Sequence, residues 1–482
     1  MNNHHRMSKR KRQALLFFTY GFMTLATLVI STVCILLIMG YRFDFGDRSI
    51  EQGALLQFRS TPSAAQIVLD DKLLNFNTPG KLDVAVGTHT VKMQKEKYHD
   101  WSKTVTVKAG ELRWLNYARL IPTTIQNTTP LKFNAAVSGA LPTPDRQYLA
   151  VVTDAAQPTV QIVDLRNDAN VVSRSVTIPQ TELTLAPGQP SQFSIVEWDF
   201  GSRFLLVLHR SGEVSEYIRV DRSNETGAAR NITKEFNLPF VDMHFSGTSG
   251  NLLYALTSKD LRKIDTSVGS VSQPLLGGVE QYRLYRENDI AFVALRTDKR
   301  VAGVFIDEKE TIVRTVPVTQ PVFVDVSRYY SNYYFAVSTP TGVDIIKDPA
   351  EASQASTRTH AQLKTTGHET TWLDFASSGR FIIAGTSSAY SVYDLETEES
   401  YTVQAAVSAS PSVAPRWLDD FSIVSTVTGK ARVIDYDGLN AHDIASSNPN
   451  LPAFLSDDGT FLYSFVDNAG LATLQASRLI LE

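Results

Sequence analysis

The residue types that do chemistry are all present in this chain, but rarely at a spacing that lets them work together. His368-Glu369-Thr370-Thr371 opens like a zinc-peptidase helix, yet Trp372 stands where the second histidine ligand belongs. Gly247-Thr248-Ser249-Gly250 comes nearest to a nucleophile elbow and reads as a loop. Asp435-Tyr436-Asp437-Gly438 begins like a calcium loop but lacks the bidentate Glu at the right distance, so it reads as a strand-ending turn. His89 and His99 have no third ligand near them, and the other histidines (His4, His5, His209, His244, His360, His368, His442) are thinly scattered. A single cysteine, Cys34, excludes an intrachain disulfide and any multi-cysteine metal site. The expectation is a protein that is not an enzyme, with no catalytic set, cofactor or metal. Aromatic residues remain. Trp198, Trp372 and Trp417 each precede an Asp by one or two positions, and Tyr98 and Trp101 form a closely spaced pair. These five are the candidate ligand or partner contacts, with core packing as the competing role because aromatics dominate cores.

The elements that must position them begin with a membrane segment. No charged residue occurs from Gln13 to Tyr41, and Ala14–Met39 is almost wholly apolar. As a helix it would span about 39 Å, enough for a ~30 Å hydrocarbon core with some tilt. A signal peptide has a shorter apolar region, usually ~7–15 residues, and a small-residue cleavage site. Arg6, Lys9, Arg10, Lys11 and Arg12 precede the span, and positive flanks resist translocation. The expected topology is a cytoplasmic basic tail at 1–12, a single transmembrane helix at 13–41, and everything later outside a bacterial cell membrane. Without those five basic residues the chain holds 41 basic against 50 acidic residues. Such a surface has no electrostatic footprint for nucleic acid.

Residues 53–121 alternate apolar and polar positions in short runs such as Gln66-Ile67-Val68-Leu69 and Thr104-Val105-Thr106-Val107, with turns at Asp70-Asp71, Thr78-Pro79-Gly80 and Ala109-Gly110. That pattern predicts half-buried antiparallel strands closing a small core. The order Ser60-x-Pro62, Val68-Leu69-Asp70, Thr78-Pro79, Gly87-Thr88-His89-Thr90-Val91 and Tyr98-x-x-Trp101 resembles a PEGA domain. The resemblance implies a small surface-associated β-sandwich without a catalytic set, set between a membrane anchor and another extracytoplasmic module. Two positions depart from that family. Its Pro-Glu-Gly-Ala reads Pro62-Ser63-Ala64-Ala65, and the glycine that usually precedes the Tyr is Lys97.

From 122 to 482 one theme recurs: a polar turn, an apolar run, then a second strand ending on Asp. Eight runs begin at Tyr148, Phe204, Leu252, Ile290, Tyr333, Phe381, Phe421 and Phe461, 38 to 56 residues apart. A mean near 45 residues suits one four-stranded propeller blade. The closing acids include Asp164, Asp221, Asp265, Asp307, Asp348, Asp394 and Asp435. Tight turns such as Phe200-Gly201-Ser202-Arg203 and Ser377-Ser378-Gly379-Arg380 enter the runs, one strand after an aromatic–acid beat such as Trp198-Asp199-Phe200. In rhythm this part resembles WD40/TolB-like β-propellers. The expected architecture is all-β: a transmembrane helix, a PEGA-like sandwich, and a propeller of eight blades. Seven is the alternative, if residues 122–165 and the carboxy-terminal segment share a blade. The expected role is binding or scaffolding through the propeller, towards a cell-wall polymer or an envelope protein, with the PEGA-like domain as spacer or wall contact. A hydrolase or lyase acting on extracellular glycan from the propeller mouth is the alternative. Acidic and histidine side chains converging there would favour it.

Overall fold

The computed structural model describes residues 9–38, 41–44, 49–168, 170–224, 228–350, 359–365, 369–386, 388–404 and 414–481. Arg6, His4, His5, His368 and most of the polar stretch 351–366 fall outside them. The chain forms two compact units, Met1–Thr124 and Ile125–Glu482.

The first unit opens with a helix, Lys9–Ile38. Within it Gln13–Leu36 has a mean hydropathy of 1.8 and is long and apolar enough to cross a membrane. Its large side chains point outward with nothing covering them, Phe17 and Phe18 at 83% and 80% exposure. The hydroxyls of Thr19, Thr24 and Thr27 donate to the carbonyls of Leu15, Tyr20 and Met23 at 2.7–2.9 Å, so these polar groups are satisfied inside the helix. Tyr41, placed at the end of the span by hydropathy, instead opens a strand, Tyr41–Asp44, paired with Ser49–Gln52.

A two-sheet sandwich follows. One sheet orders Gly80–Val84, Ala54–Thr61 and Leu112–Arg119, the last two parallel. The other orders Lys72–Asn77, Gln66–Leu69, Gly87–Gln94 and Trp101–Val107. Trp101–Val107 alternates buried and exposed residues without a break, as period-two patterning requires of a strand wet on one face. Leu56, Phe58, Ile67, Val91, Met93, Trp101 and Leu115 fill the core. Strands Lys72–Asn77 and Leu112–Arg119 add to those expected from the sequence. Ser60 Oγ and Thr78 Oγ1 lie 2.6 Å apart and tie the two proline turns together.

Among the described residues the second unit contains eight sheets, within 139–177, 191–231, 240–277, 279–316, 324–364, 372–404, 416–446 and 454–478, here sheets 1 to 8. Each is antiparallel with its strands in chain order, with two exceptions: in sheet 3 both Ser270–Val271 and Leu276–Gly277 pair with Asp260–Asp265, and the outermost strand of sheet 8, Gln126–Lys132, comes from the start of the unit and pairs with Leu471–Arg478. Residues 139–177 form a sheet of their own, so only that one strand is shared between the two ends of the unit. Sheets 1 to 6 share buried clusters with their neighbours in turn, and sheet 8 shares one with sheet 1. Ala150, Val160 and Ile162 of sheet 1 meet Trp198, Leu205 and Val207 of sheet 2, while Leu149 and Val163 meet Tyr463 and Leu474 of sheet 8. A single blade buries only one face by itself, and its neighbours supply the rest.

The recurring acids have a local role. Arg203, just after its turn, pairs with Asp221 at 2.7 Å, and Arg380 pairs with Asp394 at the same distance. In both cases the hairpin arginine clamps the aspartate that ends the third strand. Asp199 and Asp419, from the aromatic–acid beat, cap the turns instead. Asp199 Oδ1 accepts from the backbone N–H of Arg203 and Phe204 at 2.7 Å, and Asp419 Oδ1 accepts from Phe421 and Ser422 at 2.8 and 2.7 Å.

Candidate functional site

The first strands of sheets 1 and 2, 2 and 3, 4 and 5, and 5 and 6 approach one another, and the first strands line a central channel. One face of each packs between sheets and the alternate face meets channel water. Trp372–Phe375 follows this rule, with Asp374 exposed between buried Leu373 and Phe375. Charged side chains gather along the channel in this way: Glu197, Asp242, His244, Arg283, Asp325, Asp374 and Arg416.

Several of them staple neighbouring sheets. Glu197 accepts from the backbone N–H of Phe245, and its Oε2 lies 2.8 Å from His244 Nδ1. His244 Nε2 lies 3.5 Å from Asp242. Burial by itself would lower the pKa of His244, but the carboxylates of Glu197 and Asp242 overrule it and hold the imidazolium up to about 10. Asp325 repeats the staple three sheets further on, accepting from Phe375 N–H at 3.0 Å and Val326 N–H at 2.8 Å. Asp325 and Asp374 both sit well above the ordinary carboxylate range. The protein walls remove bulk water from each, and for Asp374 the nearby charge of Asp325 adds to that; Arg283 pulls both back, and Arg416 also pulls on Asp374. Asp374 is exposed along its strand, yet enough protein surrounds its carboxyl for burial to be the leading cause of the shift. Among the described residues no group of three or more His, Cys, Asp or Glu side chains is placed to hold a metal ion.

A larger opening lies at one end of the propeller. In sheets of this topology the turns joining first to second and third to fourth strands share one end, and the second-to-third turns lie at the other. At the first end a cleft of about 1010 Å³ spans the turns of sheets 2 to 5. Phe200, 53% exposed in the sheet 2 turn, stands at it, and Tyr333 from sheet 5 lines it with Tyr254 and Phe305. Its polar groups are organised. Tyr333 Oη donates to Asp289 at 3.0 Å, and Tyr254 Oη and Lys263 Nζ both donate to Asn288 Oδ1 at 3.1 Å. Burial pushes the Asp289 carboxyl up; the hydrogen bond from Tyr333 opposes this and the charge of Asp307 reinforces it. A half-apolar cleft with a few fixed polar groups is the form that binding sites usually take.

None of the five aromatics singled out in the sequence lines the cleft. Trp198 is 6% exposed and its indole N–H donates to Leu141 O at 3.0 Å in the adjoining sheet. Trp372, also 6% exposed, lies over Gly385, where a Cβ would fall 2.0 Å from the indole. Trp417 packs against Phe381, ring centres 5.9 Å apart, and Trp101 meets Tyr117 edge-on at 5.7 Å. Tyr98 is 6% exposed in the sandwich. The cleft aromatics were not singled out. Phe200 closes the aromatic–acid beat and begins a tight turn, and a large aromatic in a turn was the available signal. Tyr254 and Tyr333 sit inside apolar runs, where nothing distinguishes them from core residues.

No curated protein matches the sequence. Residues 54–120 match the PEGA domain family. Among solved structures, the crystal structure of the C-terminal WD40 domain of Sif2 is similar, with a TM-score of 0.50 and 12% identity over 73% of this chain and 98% of that one. The Dos1 propeller (TM-score 0.45, 12% identity, 73% and 94% covered) and an oligogalacturonate lyase in complex with manganese (0.37, 11%, 62% and 95%) are more distant matches. At such identities the likeness speaks for fold alone. The chain thus carries a PEGA domain at residues 54–120 followed by a WD40-like β-propeller.

Proposed function

We propose that this is a membrane-anchored extracytoplasmic binding or scaffold protein. Its propeller recognises a cell-wall polymer or an envelope protein, and the PEGA domain serves as spacer or wall contact. The helix Lys9–Ile38 is the anchor in this reading, with Arg10 and its basic neighbours retained in the cytoplasm. The observation that carries the binding role is the cleft of about 1010 Å³ with Phe200 standing 53% exposed at it. An aromatic exposed in a turn gains nothing for the fold and presents apolar area to a partner. The test is capture of detergent-solubilised full-length protein on purified cell wall and on immobilised envelope proteins. Phe200→Asp is expected to lower capture at least tenfold and leave the melting temperature unchanged. Capture equal to wild type would sink the cleft as the binding surface.

Acidic side chains and one histidine, His244, do converge in the channel, which favours the glycan hydrolase or lyase as a second reading. Two of the carboxylates, Glu197 and Asp325, are committed to accepting backbone N–H groups of the next sheet, which weighs against it. Asp242 is paired with His244, whose hydrogen bond and charge outweigh burial and hold its carboxyl low, so Asp374 remains as the candidate acid. Release of reducing ends from purified wall glycan by wild type and not by Asp374→Asn would establish that reading.

A further inference from the structure

The opposite end of the propeller holds a second recess, of about 500 Å³, at the first strands of sheets 1 and 2, with contributions from sheet 7 and the link into sheet 8. Its chemistry differs from that of the cleft. Arg210 and Arg416 are the charged residues lining it, and among the described residues no carboxylate does. Gln192 and Arg210 are directly opposed across two antiparallel strands, and Ser194 lies two residues along from Gln192, so all three project from one face of sheet 2. All three are exposed, whereas Phe193 between them turns into the core. Asn450 adds an amide from the link between sheets 7 and 8. Arg416 brings its charge from the channel wall, where loss of bulk water depresses its guanidinium and the charge of Asp374 works the other way.

We infer that this recess is a binding site for an anionic group, a carboxylate or a phosphate, presented to the propeller from the side away from the cleft. Both charged residues that line the recess are arginines, with Asp374 near enough to act on Arg416, and guanidinium forks match the two-oxygen edge of carboxylates and phosphates. The Ser194 hydroxyl and the Gln192 and Asn450 amides add neutral donors around them. The volume suits a group the size of a sugar acid or sugar phosphate. This assignment is independent of the cleft, which lies at the other end of the sheets and mixes acids with bases.

The test is calorimetric titration of the full-length chain in detergent micelles, at low salt, with inorganic phosphate and separately with glucuronate. Saturable binding of either anion is expected, and the better ligand identifies the oxoanion. Arg210→Gln should weaken it at least tenfold and Arg210→Lys by much less. Ser194→Phe, which fills the recess and keeps both guanidinium groups, should abolish it. Arg416→Gln should weaken it similarly; if that variant misfolds, the Arg210 and Ser194 variants still decide. No saturable binding of either anion, or wild-type affinity in both Arg210→Gln and Ser194→Phe, would overturn the proposal.

Discussion

Ala64 and Lys97 stand where the PEGA pattern has glycine, and both backbones adopt the left-handed region, at φ 61° and 70°. Both positions thus hold a side chain in a conformation that suits glycine. A side chain in that region costs roughly 1–2 kcal/mol, and the extra freedom glycine loses on folding returns part of it. Ala64→Gly and Lys97→Gly are therefore each expected to stabilise the sandwich by about 0.5–1 kcal/mol in urea unfolding. A loss of stability in both would mean that the side chains make compensating contacts. His244 illustrates the reverse case, a residue whose role only its surroundings reveal. Its folded pKa lies above its unfolded value near 6.5, so the stabilisation from its charge is complete below pH 6.5. It fades as pH rises towards about 10. His244→Gln should thus be clearly less stable than wild type at pH 6, with the gap closing by pH 10. A gap that stays constant across this range would show that His244 acts through packing instead.

At the scale of elements, the strand Gln126–Lys132 matters most, because it leaves its own neighbours in sequence to complete sheet 8. Asn127 pairs with Ser477, whose hydroxyl donates to Asn127 Oδ1 at 2.7 Å across a separation of 350 residues. Without that strand the outer edge of Leu471–Arg478 would stand open. Asn127→Pro, which puts a proline inside this paired strand and removes the Oδ1 acceptor of Ser477, should lower the melting temperature of the propeller by several degrees and leave the PEGA domain unaffected. An unchanged propeller transition would show that this pairing contributes little. The short-range elements were largely legible. The turn–run–Asp rhythm predicted the hairpins, because an arginine after the turn and an aspartate at the end of the third strand meet within one sheet, as Arg380 and Asp394 do. The strand Leu112–Arg119 was not, because it runs parallel to Ala54–Thr61 and no hairpin turn marks that pairing.

For the whole molecule the testable matter is orientation. A helix with uncovered apolar side chains and no charge from Gln13 to Leu36 is expected to hold the protein in membranes through high-salt and alkaline washing. In a Cys34→Ser background, a membrane-impermeant maleimide applied to spheroplasts should label Val268→Cys, whose site is 72% exposed, and should spare Ser8→Cys. The opposite labelling would reverse the topology, and release of the protein by alkali would remove the anchor from the proposal.

The sequence by itself determined what depends on neighbours along the chain: an uncharged apolar span, period-two strands, turn chemistry and a repeat near 45 residues. Each follows from local backbone preference or from burial of a single face. Tertiary structure alone decided which side chains meet. It buried Trp198 and Trp372 between sheets and left Phe200 exposed in its turn. It brought Arg283, Asp325, Asp374 and Arg416 from four sheets into one channel, and placed Arg210 and Arg416 at one recess. These groupings join residues from different sheets, and their spacing in sequence carries no trace of the ring that brings them together.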